Sequence, residues 1–566
     1  MTQATIKRLK MSPPAIKNKS PESFESVLTS SWYPYAILAA LIFALYSKAL
    51  FFGLTYLDDD GLIINNSYLI GRLSNIFEAF RRDVFSSHLG EAFYRPIFTI
   101  SLMIDEALGG DIFVYHLTSV IAHAAFVCLL FRVLVCTTHR PVPSFAAALI
   151  FAVHPAMSQA VAWVPGRNDS LMAILALASF LFFIRHLGSK RFGIFPHLVF
   201  FALALFTKEQ ALFITLMCLI YAKFIRGRRI FSIKIVTPMI WWAIIIVAWR
   251  LMRAAAFSHP IPYTIDAIAI SLGQGLPHLM LYLGKLVLPF SLAVLTIPRD
   301  ENLLLGAISL AIVCGLLIFS RSRRNSFVAF GTLWFVLFLW PTFIQPDPDT
   351  PTYLIGHRAY LPAVGLAFVL LEVEWIRDID LGDFARIKEG VALLLAAALA
   401  VGTFFYMDTF KDGLNFWENA AGHSPHSPLA QRGLGAIYYY HSRLDDALAL
   451  FKKSIEFNPE EKMAHGNVGL IYATKGMMAE AEAEYLKEIE QNPNYDDVHF
   501  NLGNLYYNTG RADDAEKMWK RTIEINPAYF SAYEQLADAA RKRGDPATAE
   551  DWLEKSRRIS AGSTQK

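Results

Sequence analysis

The chain has 566 residues, 54% of them hydrophobic, and a mean hydropathy of +0.35. That is too apolar for an ordinary soluble multidomain protein, so most of the length reads as a polytopic membrane protein. The net charge is only +3, and the basic residues gather in short clusters between apolar runs, which argues for membrane topology rather than a nucleic-acid partner.

The predicted elements begin with a basic tail over residues 1–33, carrying Lys7, Arg8, Lys10, Lys17 and Lys19 and expected to be cytoplasmic. An apolar stretch from Pro34 to Leu54 follows, about as long as a membrane crossing and without a small-residue cleavage site, so it reads as a retained signal anchor. A long outer loop, 55–111, comes next. Further apolar runs lie near 112–135, 142–162, 170–186, 193–207, 210–225, 235–253, 303–320, 327–343, 359–374 and 389–407. Placing every basic cluster on the cytoplasmic side requires that the stretch 277–297 make no net crossing, which leaves about eleven spans in a membrane domain over 34–410. Cys128, Cys136, Cys218 and Cys314 lie in or beside these runs and show neither a disulfide framework nor zinc spacing.

A linker is expected at 411–424, and residues 425–566 are repetitive. Pro425, Pro459, Pro493 and Pro527 recur at a spacing of 34, as do Gly476, Gly510 and Gly544, and Ala447, Ala481, Ala515 and Ala549. That period, with small residues where paired helices must approach and Pro where the second helix ends, predicts a tetratricopeptide α-solenoid of about four repeats. Such a surface holds a protein or peptide partner, or serves dimerisation. The fold class is therefore all-α throughout.

The candidate chemistry lies in the outward loops. Asp58, Asp59 and Asp60 directly follow the first apolar run, either as a solvated loop start or as a carboxylate centre beside the membrane. Arg95, next to Tyr94, offers a planar fork to a phosphate or snorkels at a helix end. His154 of His154-Pro155 either caps its own helix or faces a ligand, and Gly166-Arg167-Asn168-Asp169 forms a donor-rich turn. Lys208 and Glu209 sit at a hairpin between two apolar runs, as a mutual ion pair or with the lysine near a lipid phosphate. Arg358, after His357, enters a span from the outside. Several cations and one carboxylate cluster on one face suit sugar transfer from an anionic lipid carrier: the cations hold the phosphate and a carboxylate takes the proton of an attacking hydroxyl.

Asp58-Asp59 with Asn65-Asn66, Tyr94-Arg95-Pro96, Tyr115-His116-Leu117 with His123, His154-Pro155 with Gly166-Arg167, Lys208-Glu209 and Arg358-Ala-Tyr360-Leu-Pro362 resemble the transmembrane and tetratricopeptide-repeat-containing protein O-mannosyltransferases, of the GT-C glycosyltransferase class. The resemblance runs from about residue 34 to 560 and keeps the order of membrane domain then repeats. It implies inverting transfer of a hexose, usually mannose, from a polyprenyl-phosphate carrier to Ser or Thr hydroxyls on the non-cytoplasmic side. On it, Asp58 or Asp59 is the base or orients the acceptor, while Arg95, His154, Arg167, Lys208 with Glu209, and Arg358 surround the carrier phosphate. No metal or other cofactor is expected. Leu57, Gln159 and His357 stand where the family commonly has Trp, Glu and Glu, and Asp60 has no family counterpart. The expected partners are the lipid-linked sugar, a protein acceptor and membrane lipid. The expected location is a bacterial inner membrane with the site in the periplasm, or the endoplasmic reticulum if the chain is eukaryotic. A non-enzymatic scaffold and transfer to a lipid or glycan are the alternatives.

Overall fold

Apolar runs of this length can bury their side chains only against one another or in lipid, and the structure uses both. The computed structural model describes residues 27–29, 31–85, 93–188, 193–257, 260–347, 350–378 and 387–562. All regular elements among them are helical, and an isolated antiparallel bridge joins Thr296 and Leu354. Residues 1–26 of the basic tail, with Lys190, Arg191 and Arg386, lie outside the described residues.

Among the described residues, six helices are long and apolar enough to cross a membrane: Tyr33–Phe51, Ile112–Thr138, Val164–Gly188, Ile233–Ala256, Asn325–Phe343 and Gly390–Phe410. Two bent pairs, Pro141–Val153 with Pro155–Ala162 at 60° and Ile265–Gln274 with Leu276–Val287 at 43°, bring the number to eight. The expected eleven also counted runs that fold as short apolar helices, Phe195–Leu205 and Leu303–Ile318 among them, which fall short of the about 20 residues of a full crossing. The stretch 277–297 is the second arm of the 43° pair followed by irregular chain. On Ile233–Ala256, Ile240, Ile244, Val247 and Leu251 form one exposed apolar stripe while Trp242 and Trp249 are buried, the pattern of a helix with one lipid face. Helices Asn325–Leu339 and Pro362–Leu370 cross backbone to backbone: a Cβ on Gly331 would lie 2.5 Å from the Gly365 carbonyl, and the reverse 2.4 Å.

The loop expected over 55–111 contains a small folded unit. Leu62, Leu69, Ile70, Val84, Phe98, Leu102 and Met103 form a core of their own with Tyr115 and Val164. Asp83 closes it by accepting from the Phe85 and Phe93 amides at 2.8 and 2.7 Å.

In the repeats, helices pair as Pro428–Tyr440 with Leu444–Phe457, Ala464–Thr474 with Met478–Gln491, Asp496–Asn508 with Ala512–Ile525, and Phe530–Lys542 with Pro546–Gly562. Gly435, Gly469 and Gly503 lie against Phe451, Tyr485 and Trp519, where added Cβ atoms would stand 2.8, 2.8 and 2.6 Å from the rings. Gly476, Gly510 and Gly544 turn the chain at φ of 79°, 84° and 82°, and Ser442 makes the same turn in the first pair at 60°.

The segment expected as a linker, 411–424, is largely the helix Gly413–His423, capped by Asp412 on the Asn415 amide at 2.9 Å. Its composition is loop-like, yet Phe416, Trp417 and Ala420 give it an apolar face. That face is buried in the membrane domain's core together with Ala430, Leu434 and Ile437 of the first repeat. Gly53 donates to the Lys411 carbonyl at 2.7 Å, Trp417 Nε1 to the Thr55 carbonyl at 3.0 Å, and the Val294 amide to Asn419 Oδ1 at 3.0 Å. The repeats are thus joined to the loop that carries the aspartates.

Candidate active site

The chain leaves the first helix through extended residues 52–55 and passes Tyr56 at φ 59°, a left-handed conformation that a tyrosine adopts only when held there. Asp59 supplies the hold. Its Oδ2 accepts from the Thr55 amide at 2.7 Å, the Thr55 hydroxyl at 2.6 Å and the Tyr56 amide at 3.2 Å. Trp163 Nε1 in turn donates to Thr55 Oγ1 at 2.9 Å. Asp59 is buried and its carboxylate is committed to its own turn. Asp58 is half-buried; its carbonyl accepts from the Leu62 amide at 3.0 Å, while its carboxylate has no hydrogen-bond partner among the described residues. Burial and the neighbouring Asp59 push its carboxyl up to about 7, against the lowering pull of Arg95 and Arg358. Burial likewise lifts Asp59 to about 6, although its hydrogen bonds from Thr55 oppose the rise.

Facing Asp58 is a cluster of cations built by distant elements. Lys208 follows the helix Phe195–Leu205 and places Nζ 2.8 Å from both carboxylate oxygens of Asp169, in the first turn of the helix Arg167–Gly188. Asp169 Oδ2 also lies 3.6 Å from His357 Nε2. His357, in the turn Gly356–Ala359, is half-buried, and its desolvation drives the ring down to about 3 with help from Lys208, Arg358 and Arg95 and against Asp169. Its Nδ1 has no partner among the described residues. Arg95 caps the helix Pro96–Ala107 and stacks 4.5 Å above Phe93; its Nη2 is 4.0 Å from Glu209 and its Nη1 donates to the Asn168 side-chain oxygen at 2.9 Å. Its buried Nε has no partner among the described residues. Arg358 donates to the Tyr353 carbonyl at 3.0 Å. A buried donor left without an acceptor costs about 1–3 kcal/mol, a cost that an anionic group entering beside Arg95 would relieve.

The structure therefore brings Asp58, Arg95, Lys208, Glu209 and Arg358 together and sends two expected site residues elsewhere. His154 Nδ1 accepts from the Ala156 amide at 3.1 Å while Nε2 meets the Leu286 carbonyl at 3.0 Å, so both nitrogens serve the 60° bend of its helix. Arg167, fully buried, gives Nε to Ser119 Oγ at 3.0 Å and its terminal nitrogens to Asp105 and the Tyr115 carbonyl. Asp105 is completed by Thr118 at 2.7 Å. The lysine and glutamate of Lys208-Glu209 do not form a mutual pair: Lys208 turns to Asp169 and Glu209 toward Arg95. Asp169 and His357 join the site without having been selected. Asp169 lies two residues beyond Arg167 in a turn already marked as donor-rich, and its acidity opposite an outward lysine was the available signal. Among the described residues no group of three or more His, Cys, Asp or Glu side chains is arranged to hold a metal ion.

The carboxyl-terminal residues 433–496 and 500–564 match the tetratricopeptide repeat family. The protein O-mannosyl-transferase Tmtc1 of Drosophila melanogaster is 31% identical over 188 residues, which is 32% of this chain and 21% of that protein. The chain resembles the protein O-mannosyl-transferases. The Mus musculus protein O-mannosyl-transferase TMTC2 is 35% identical over 101 residues, 18% of this chain and 12% of its own length. The Homo sapiens TMTC1 is 34% identical over 148 residues, 23% and 16% respectively. The chain thus spans 21% or less of the length of each of these relatives. Among solved structures, the crystal structure of MamA is 19% identical over 30% of this chain and 96% of its own, with a TM-score of 0.25.

Proposed function

We propose that the chain is a membrane glycosyltransferase of the GT-C kind that moves a hexose, mannose by its resemblance, from a polyprenyl-phosphate carrier to a Ser or Thr hydroxyl of a protein. The observation that carries the proposal is Asp58, whose carboxylate has no hydrogen-bond partner among the described residues, opposite a cation cluster whose Arg95 Nε and His357 Nδ1 likewise lack partners among them. In the step, the acceptor oxygen attacks the anomeric carbon from the side opposite the phosphate, and the carbon–oxygen bond to the phosphate breaks. The hydroxyl proton passes to Asp58, and the anomeric configuration inverts. Arg95, Lys208 and Arg358 take up the charge that develops on the departing phosphate, and Asp169 holds the Lys208 ammonium in place. The lipid carries its own leaving group, so the step balances with no other cofactor. Asp59 shapes the loop.

The site belongs on this reading to the non-cytoplasmic face, in the periplasm if the membrane is a bacterial inner one, with the repeats holding the acceptor. The test is reconstitution of the full chain in liposomes with polyprenyl-phosphate mannose and Ser/Thr-bearing proteins, read by mass spectrometry. Transfer that disappears in Asp58→Asn supports the reading; unchanged transfer in that variant sinks the base assignment. No glycan on any protein, with label appearing in lipid, moves the acceptor class from protein to lipid. Deleting residues 425–566 is no clean test, because Ala430, Leu434 and Ile437 belong to the membrane domain's core. Deleting only 496–566 spares that contact.

A further inference from the structure

Where the first repeat meets the outer loops there is a cavity of 410 Å³. One wall comes from the membrane domain, through residues 297–299 and 350–352, and the other from the repeats, through His426, Pro428 and Phe457. Its character is mixed in a particular way. Pro298, Pro351 and Phe457 supply apolar surface, while His278, Arg299 and His426 supply cationic or donor groups. Among the described lining residues there is no carboxylate. Asp300, beside Arg299 in the chain, is engaged by the Ser424 hydroxyl at 2.8 Å, the His426 amide at 3.1 Å and His426 Nδ1 at 2.6 Å. His278 is 5% exposed and its Nδ1 has no partner among the described residues, so the cavity contains a buried polar group that awaits one.

The cavity is also linked to the Asp58 cluster through the chain. The two segments of its membrane-domain wall are tied by the Thr296–Leu354 bridge, and the second runs on through Tyr353, whose carbonyl holds Arg358 at 3.0 Å. We propose that this cavity is a recognition subsite for the acceptor polypeptide, taking an extended segment that carries an acidic side chain beside an apolar one. Arg299 and His278 receive the carboxylate, and Phe457 with the two prolines receives the apolar neighbour. A lipid headgroup would arrive from the bilayer; here a wall is made of repeat helices, which favours a polypeptide already lying on the repeats. The inference rests on the protein-acceptor reading above and names what that acceptor must contain.

The test uses the full chain in nanodiscs and a fluorescein-labelled Ser/Thr peptide bearing Asp-Asp-Leu, with its Asn-Asn-Leu counterpart, read by anisotropy. The expected result is binding of the acidic peptide about 10-fold tighter than the neutral one, a difference that Arg299→Glu removes. Phe457→Ala weakens both peptides. Equal affinity of the two peptides, or an unaltered preference in Arg299→Glu, overturns the proposal. So does displacement of the acidic peptide by inorganic phosphate or polyprenyl-phosphate vesicles, which would assign the cavity to phosphate. Failure of sugar transfer with the peptide preference intact counts against the reaction alone.

Discussion

Arg167 and Asp169 stand two residues apart on one helix, yet they enter two buried ionic networks of opposite character. The Arg167 network is closed: every guanidinium nitrogen has an acceptor, and Asp105 is completed by Thr118. The Asp169 network is open, with Arg95 Nε and His357 Nδ1 unpartnered among the described residues and Asp58 facing it. A satisfied polar network fixes a fold, whereas an unsatisfied one keeps capacity for a ligand, and the difference is read from hydrogen bonds rather than residue types.

Substitution can break that contrast. Arg167→Leu leaves Asp105 buried and unpaired, so it should destabilise the detergent-solubilised protein by about 3–5 kcal/mol in thermal unfolding. Arg95→Leu should change stability little and abolish binding of the polyprenyl-phosphate sugar. Equal thermal losses in the two variants would erase the distinction between the networks.

Asp58→Asn should lower transfer by about 10²–10⁴-fold while the fold persists. Wild-type activity should rise as pH increases through about 7, where Asp58 loses its proton, and the variant should lack that limb. Stability runs the other way. The folded chain holds the proton up to about 7, whereas the unfolded carboxyl releases it near 4, so stability falls as pH climbs between those values. Denaturant midpoints across pH 4–8 that fall less steeply in Asp58→Asn would agree; identical pH slopes would refute the shift.

His154→Gln should cost about 1 kcal/mol through its lost backbone bonds and leave donor affinity unchanged. A large loss of donor affinity would return His154 to the phosphate site. The smallest effect belongs to the repeats: Gly510→Ala, at φ 84°, should cost about 1 kcal/mol confined to the solenoid. Hydrogen exchange should show faster opening of 496–525 with no change around Thr55.

The repeats were legible because their chemistry is local: a glycine and the aromatic ring it accommodates, such as Gly503 and Trp519, recur in step along the chain. The grouping of Asp58 with Arg95, Lys208 and Arg358 was legible from shared sidedness. What escaped was partner choice. Arg167 finds Asp105 62 residues upstream, and Trp417 finds the Thr55 carbonyl 362 residues away. No periodicity carries such pairings, so a helix docked on the membrane domain looked like a linker and a closed network looked like a phosphate ligand. The mutual Lys208–Glu209 pair failed for a related reason. Neighbouring side chains at a hairpin compete with buried partners, and Asp169 offers Lys208 both carboxylate oxygens.

The helix Gly413–His423 has a consequence for where a sugar can be placed. It is bonded at Thr55 beneath the aspartate turn and at Val294 ahead of the cavity wall, so the first repeat and Asp58 stand at a set separation. A polypeptide gripped by the repeats would then be measured as if against a ruler, and modified Ser and Thr residues would fall at a constant number of residues from the gripped segment, whatever the sequence between.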